Sequence, residues 1–268
     1  MKQVKERQQT ALITGASAGI GRALAKVFAE HGFDLVVVAR RQDELETLAN
    51  SLQIAHGIEV TAITSDLTAP QAAQNLFQAV QQRGIHVEVL VNNAGINFHG
   101  DFKDITLEDH LELLQLNIVA LTALTHLYVR PMVEHGHGRI LNVASLGAFQ
   151  PVPTLGVYAA SKAYVLSFTE ALAVELAGTG VTVTALCPGF TDTAMMTIAS
   201  ATTGHPTPVP SLLIANAAQV AREGYQACMQ GETVHISGRV NQLVALWMQY
   251  QPRWLGRAVG GLVTRRER

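Results

Sequence analysis

The sequence predicts an α/β fold: one domain on a doubly wound parallel sheet of about seven strands, with helices on both faces. Two observations lead there. Short apolar runs alternate with longer helical patterns along most of the chain, the rhythm of strand–helix–strand units. Those runs are apolar at nearly every position, so both faces of each strand must be covered. A length of 268 residues suits one large domain, and no repeat, low-complexity tract or linker divides it. The domain is read as 1–268, with a core at about 10–237, an irregular loop at 191–214 and a C-terminal extension at 239–268.

The elements follow in order. Ala11 to Thr14 is the first strand, and a helix runs from about Gly19 to Glu30. Leu35 to Ala39 is the second strand, with a helix from about Asp43 to Ile54. Val60 to Thr64 is the third, followed by a helix after Pro70. Val87 to Val91 is the fourth, and a long helical pattern then spans about Leu107 to Met132. Arg139 to Val143 is the fifth, with a helix through Tyr158 to Leu176, and Val181 to Leu186 is the sixth. Residues 191 to 214, rich in Thr, Ala, Ser and Pro, break the rhythm and read as a lid or binding loop.

Composition narrows the function classes. Apolar residues make up 48% of the chain and charged residues only 15%, which implies extensive burial, in the core and between subunits. A net charge of −2 gives no sign of nucleic-acid binding. Cys187 and Cys228 have neither metal-like nor redox-like spacing, so a reducing compartment fits. Met1 to Gln9 lacks the apolar run of a signal peptide. No stretch approaches the roughly 20 apolar residues of a membrane span. A cytoplasmic protein is expected. His135-Gly-His137 is the nearest approach to a metal motif, but it sits in a turn before the fifth strand and reads as a solvated loop; no metal is expected.

Thr14-Gly-Ala-Ser-Ala-Gly-Ile-Gly21 follows a strand and opens a helix, the context of a Rossmann-type dinucleotide turn. Gly15 allows the sharp turn, Gly19 the close approach of backbone to a pyrophosphate, and Gly21 the packing of helix near sheet. Ser17 and Ile20 belong to the same turn. The second strand ends in Arg40-Arg41, where an NAD-binding chain would usually carry a carboxylate for the ribose. A guanidinium instead bonds phosphate oxygens, so NADP(H) is expected. Arg40 is the better candidate because it directly follows the strand.

Tyr158 and Lys162 lie one helical turn apart and project from one face. A phenol titrates near 10, roughly, and a neighbouring ammonium would pull that down toward working pH. Ser145 stands thirteen residues upstream of Tyr158, and Asn117 further back.

Taken with Asp66-Leu67, Asn92-Asn93-Ala94-Gly95 and Pro188-Gly189-Phe190-Thr191, these motifs occur in the order and spacing of the short-chain dehydrogenase/reductase family. The resemblance covers roughly residues 10 to 237. It implies that Asp66 bonds the adenine amine with Leu67 alongside, although Asp66 could also cap a helix before Pro70. It implies that Asn93, Ala94 and Gly95 flank the cofactor, and that Pro188, Gly189 and Thr191 hold the nicotinamide carboxamide. Tyr158 would be the general acid for reduction and the base for oxidation. Lys162 would lower its pKa and bind the ribose. Ser145 would hold the substrate oxygen. Asn117, a poor helix former inside a helix, would anchor a proton-relay water or serve as a buried polar contact. The family implies a homodimer or homotetramer built on the long fourth and fifth helices.

The resemblance implies a carbonyl reductase, reversible as an alcohol dehydrogenase. Rival readings are a silent NADP(H) sensor and an isomerase or dehydratase using transient hydride transfer. Leu146, Phe149, Val152, Leu155, Phe190, Met195 and Met196 suggest a small hydrophobic carbonyl or alcohol as substrate, such as a steroid-like ketone or a 3-oxoacyl thioester. The segment from Trp247 to Arg268 carries both tryptophans, Trp247 and Trp254, and a basic cluster. It reads either as packed on the body or another subunit, which is favoured, or as touching a membrane surface or an acidic partner.

Overall fold

The computed structural model describes residues 9–192 and 214–251. Its elements are β1 (Thr10–Thr14), α1 (Gly19–Glu30), β2 (Asp34–Ala39), α2 (Gln42–His56), β3 (Val60–Thr64), α3 (Ala72–Gln82) and β4 (Val89–Asn92). Then come α4 (Leu107–Leu114), a π-turn (Gln115–Ala120), α5 (Leu121–His135), β5 (Gly138–Val143), a 3-10 turn (Leu146–Phe149), α6 (Gly156–Glu175) and β6 (Val181–Cys187). The last described elements are α7 (Ala217–Gln230), β7 (Val234–Ile236) and α8 (Arg239–Tyr250).

All seven strands pair in parallel in the order β3-β2-β1-β4-β5-β6-β7. The order reverses between β1 and β4, and a crevice at that reversal, beyond the strand C-termini, is where such sheets bind ligands. Alternation along the strands sorts side chains to two cores. Ile13, Val37 and Val91 meet Leu24, Phe28, Leu45 and Val220 on one face. Leu12, Val36 and Leu90 meet Leu76, Val80, Leu124 and Tyr128 on the other. Burying each such side chain contributes about 1.5–3 kcal/mol, so both helical layers are fixed by the sheet.

Strands β1 to β6 lie where the apolar runs predict. The fourth is shorter, starting at Val89, because Glu88 turns its carboxylate onto the free amide at the start of β1: Thr10 N donates to Glu88 Oε2 at 2.7 Å. Helices α7 and α8 and strand β7 have no counterpart in the sequence reading. The long helix contains a break in kind rather than direction, the π-turn that carries Asn117.

One reading needs correction. The helical stretch Leu107–His135 is, among the described residues, long and apolar enough by composition to cross a membrane. Polar residues scattered along it break up its apolar runs, which hid it in the sequence; here it packs on α3, α6 and the sheet. Near the His135-Gly136-His137 turn, ligand atoms of His86, Glu88 and His137 lie within 4.8 Å of one another. This group sits at the strand N-termini, away from the crevice, and Glu88 is committed to the Thr10 amide.

Candidate active site

The Gly-rich turn is held by one hydroxyl. Thr14 Oγ1 donates to Val91 O at 3.1 Å and accepts from the amides of Asn93 and Ala94, each at 3.0 Å. Asn93 returns the contact by donating Nδ2 to Thr14 O at 2.8 Å. The loops after β1 and β4 are thereby locked side by side at the switch point. Gly15 adopts φ +68°, and a Cβ there would lie 2.7 Å from Asn93 Nδ2. A Cβ on Gly21 would run into Asn93 Nδ2 and the Gly15 carbonyl. Gly19, φ +54°, opens α1, whose free amides face the crevice. Ile20, partly buried, packs on the core beneath.

At the end of β2 the two arginines part. Arg40 Nη1 pairs with Glu112 Oε1 at 3.5 Å. Arg41 Nη2 donates to Ser17 Oγ at 3.1 Å, while its Nη1 pairs with Glu44 at 2.6 Å. The sequence favoured Arg40; the arginine that touches the Gly-rich turn is Arg41. Adjacency to a strand does not fix a side chain's direction, and Glu44, one helical turn on, draws Arg41 toward Ser17. Asp66 Oδ1 accepts from Thr68 N at 3.0 Å and Thr68 Oγ1 at 2.7 Å. Those two bonds, and then Arg40, hold its carboxyl below the usual carboxylate range. It closes a local turn and caps no helix, since α3 begins at Ala72. Leu67 beside it is buried.

The other half of the crevice is built on β5, β6 and α6. Ser145 caps the 3-10 turn, its Oγ accepting from Gly147 N at 3.1 Å. Leu146 N donates to Pro188 O at 2.8 Å, which joins the loops after β5 and β6. Thr191, buried, donates its hydroxyl to Gly189 O at 3.1 Å. Gly189 has no room for a side chain because Asn241 of α8 lies against it.

The Ser145 hydroxyl lies close to the Tyr158 phenol. Burial pushes that phenol above its ordinary value, and the Ser145 hydroxyl opposes the push. The ring retains some accessible surface, so water tempers the effect of burial. The expected depression by Lys162 is absent in this geometry. The Lys162 ammonium sits 5.8 Å from the centre of the Tyr158 ring and donates to Val143 O at 2.8 Å. Lys162 is 5% exposed, and burial pulls its own pKa down to about 8, with Cys187 opposing.

Asn117 is almost fully buried by the π-turn, a device common at functional sites. Its Oδ1 accepts from Ile96 N at 3.0 Å; its Nδ2 donates to Ile96 O at 3.0 Å and to Ser161 Oγ at 3.1 Å. Ser161 in turn donates to Tyr158 O at 2.7 Å. Asn117 thus clamps the loop after β4 to α6. A Cβ on Gly95 would lie 3.1 Å from Asn117 Oδ1 and 3.5 Å from Lys162 Nζ, so this glycine keeps the two polar groups within reach of one spot.

The structure therefore gathers Asn117, Ser145, Tyr158 and Lys162 with the loops after β1, β4 and β6 at one crevice. Met195 and Met196 lie outside the described residues. Two contributors were missed. Ser161 could have been found as the neighbour of Lys162. Asn142 required strand register: it stands opposite Asn92 on adjacent strands. Asn92 Nδ2 donates to Asn142 Oδ1 at 2.9 Å and to Thr125 Oγ1 at 3.0 Å, and Asn142 Nδ2 donates to Thr169 Oγ1 at 3.0 Å. This buried chain ties α5, β4, β5 and α6 together below the site.

Fold and site define a Rossmann-type α/β protein with a Ser, a Tyr and a Lys assembled at its switch point. A family model described as short chain dehydrogenase matches residues 9–203, and the chain belongs to that family. It is 39% identical over 189 residues to a putative ketoacyl reductase of Streptomyces coelicolor, covering 70% of this chain and 72% of that one. It is 36% identical over 190 residues to the ketoacyl reductase HetN of a Nostoc species, covering 71% of this chain and 66% of the relative. A short-chain dehydrogenase from Sphingobium yanoikuyae, solved in complex with NADPH, superposes with a TM-score of 0.81 at 32% identity, covering 96% of this chain and 95% of that one.

Proposed function

We propose that this protein is an NADP(H)-dependent carbonyl reductase, reversible as an alcohol dehydrogenase. The observation that carries it is the convergence of Ser145, Tyr158 and the buried Lys162 at one crevice. The residues present fit a dinucleotide phosphate. Gly15 and Gly21 leave a cradle that a Cβ would close, and two arginines follow β2 without a carboxylate. Ser17, Arg41 and Arg40 would hold the 2′-phosphate. Asp66 and Leu67 would border the adenine, with Asn93, Ala94 and Gly95 against its ribose. Pro188, Gly189 and Thr191 would position the carboxamide. The NADPH-bound Sphingobium relative supports the same cofactor here.

When bound, the cofactor supplies the hydride in reduction and accepts it in oxidation. Ser145 donates a hydrogen bond to the carbonyl oxygen and stabilises the charge that gathers there. Tyr158 gives its phenolic proton to the same oxygen, which becomes the alcohol. The phenolate left behind faces the Lys162 ammonium, and a proton from solvent restores the phenol. A Lys162 pKa near 8 lets that ammonium lose and regain a proton close to working pH. Asn117 positions the loop after β4 and α6 around this path.

The apolar side chains Leu146, Phe149, Val152, Leu155 and Phe190 favour a hydrophobic ketone or aldehyde. The two ketoacyl reductase relatives favour a 3-oxoacyl thioester among these. Exposed Leu111, Val119 and Tyr164 on the α4–α6 side support a homodimer or homotetramer. Buried, unpaired Cys187 and Cys228 are consistent with a cytoplasmic enzyme.

The test is NADPH consumption, with NADH in parallel, over hydrophobic ketones and 3-oxoacyl thioesters. Wild type should turn over with NADPH. Tyr158→Phe should lose about 10²-fold or more in rate while binding NADPH normally. Equal rates in the two proteins would remove Tyr158 as proton donor, and faster turnover with NADH would remove the arginines as phosphate ligands.

A further inference from the structure

Helix α8 has two faces. One packs against the 3-10 turn beside Ser145 and against β7, with Ala245 fully buried and Asn241 pressed on Gly189. The other is apolar and uncovered: Val240, Leu243, Leu246, Trp247 and Tyr250 are all exposed, Leu243 by 71% and Tyr250 by 83%. At 100° per residue these five fall within an arc of about 120°. Gln242 and Gln249 lie outside it, and Arg239, at the first position of α8, falls inside it and brings a positive charge to this face. A water-facing helix would not place its large apolar side chains there.

Charge identifies what covers this face. The last thirty residues, Arg239 to Arg268, hold six arginines and one glutamate, whereas the rest of the chain holds thirteen basic and twenty acidic residues. A strongly cationic sequence that continues from an apolar arc carrying Trp247 and Tyr250, in an otherwise acidic chain, matches an anionic lipid–water interface. Aromatic rings sit at the headgroup level there, and each nearby arginine adds attraction.

We propose that the exposed face of α8 docks this protein on an anionic phospholipid surface. The docked face lies on the same helix that abuts the Ser145 turn and Gly189, so the mouth of the crevice is held close to the lipid.

The test is co-sedimentation of the full-length protein with phosphatidylcholine vesicles, with and without roughly one third phosphatidylglycerol. Binding should require the anionic lipid and weaken about tenfold or more at high salt. Leu243→Glu with Tyr250→Glu should weaken it at least about tenfold, and so should replacing Arg257, Arg265 and Arg266 by Gln. In a Trp254→Phe background, Trp247 emission should shift to the blue on these vesicles, a readout that needs no α8 variant. Thermal melts matching wild type establish that the surface variants fold. Absence of binding to anionic vesicles at low salt overturns the proposal. So does full binding by the Leu243/Tyr250 double variant, or a Trp247 already shielded from quencher by self-association without lipid. The assay reads no turnover, so it stands apart from the reductase reading.

Discussion

Replacing Lys162 with Met should change how stability depends on pH. The Lys162 ammonium is 5% exposed and its main partner is the Val143 carbonyl, so its pKa falls to about 8 from an ordinary 10.5. Below pH 8 the folded protein carries a desolvated charge that the unfolded chain keeps in water. Between 8 and 10.5 the folded protein has lost that proton and the unfolded chain has not, so stability rises with pH. The full difference is about 3 kcal/mol. Between pH 7 and 9 only part of it is traversed, about 1 kcal/mol, or about 3 °C in melting temperature for a chain of this size. Cys187 nearby is pushed up to about 12 and stays neutral throughout that interval. Thermal unfolding followed by circular dichroism at pH 7, 8 and 9 measures the effect. Wild type should gain about 3 °C relative to Lys162→Met across the range, apart from a constant offset for the lost Val143 bond. Parallel curves would mean that Lys162 titrates near its ordinary value, and the role given to its burial would be wrong.

Three further outcomes follow from particular contacts. Gly21→Ala, which in an ordinary helix gains stability, should here cost about 1–3 kcal/mol and weaken NADPH binding, because the new methyl meets Asn93 and the Gly15 carbonyl; a variant as stable as wild type in urea would refute the close approach. Asn142→Leu should cost about 2 kcal/mol in urea unfolding, since it removes the acceptor for Asn92 and the donor to Thr169 inside a buried chain. Arg41→Ala should raise the KM for NADPH about tenfold and leave that for NADH unchanged; if Arg40→Ala does this and Arg41→Ala does not, the contact with Ser17 is structural only.

The sequence by itself determined the strands β1 to β6, the turn that opens α1 and the pairing of Tyr158 with Lys162. These rest on local regularities: buried parallel strands are apolar throughout, glycines mark a close backbone approach, and a four-residue step returns to one helix face. Short β7 and the amphipathic α7 and α8 escaped because three residues carry no clear period, and α8 exposes its apolar arc instead of burying it. Only the tertiary structure decided that a π-turn buries Asn117 against Ile96 and Ser161, and that Asn92 meets Asn142 across two strands. It also decided that Arg41 rather than Arg40 reaches Ser17, and that the Lys162 ammonium lies 5.8 Å from the centre of the Tyr158 ring while donating to the Val143 carbonyl. Each of these depends on where a side chain points once distant segments have packed, and on how much water that packing removes. Neither quantity is carried by the spacing of residues along the chain.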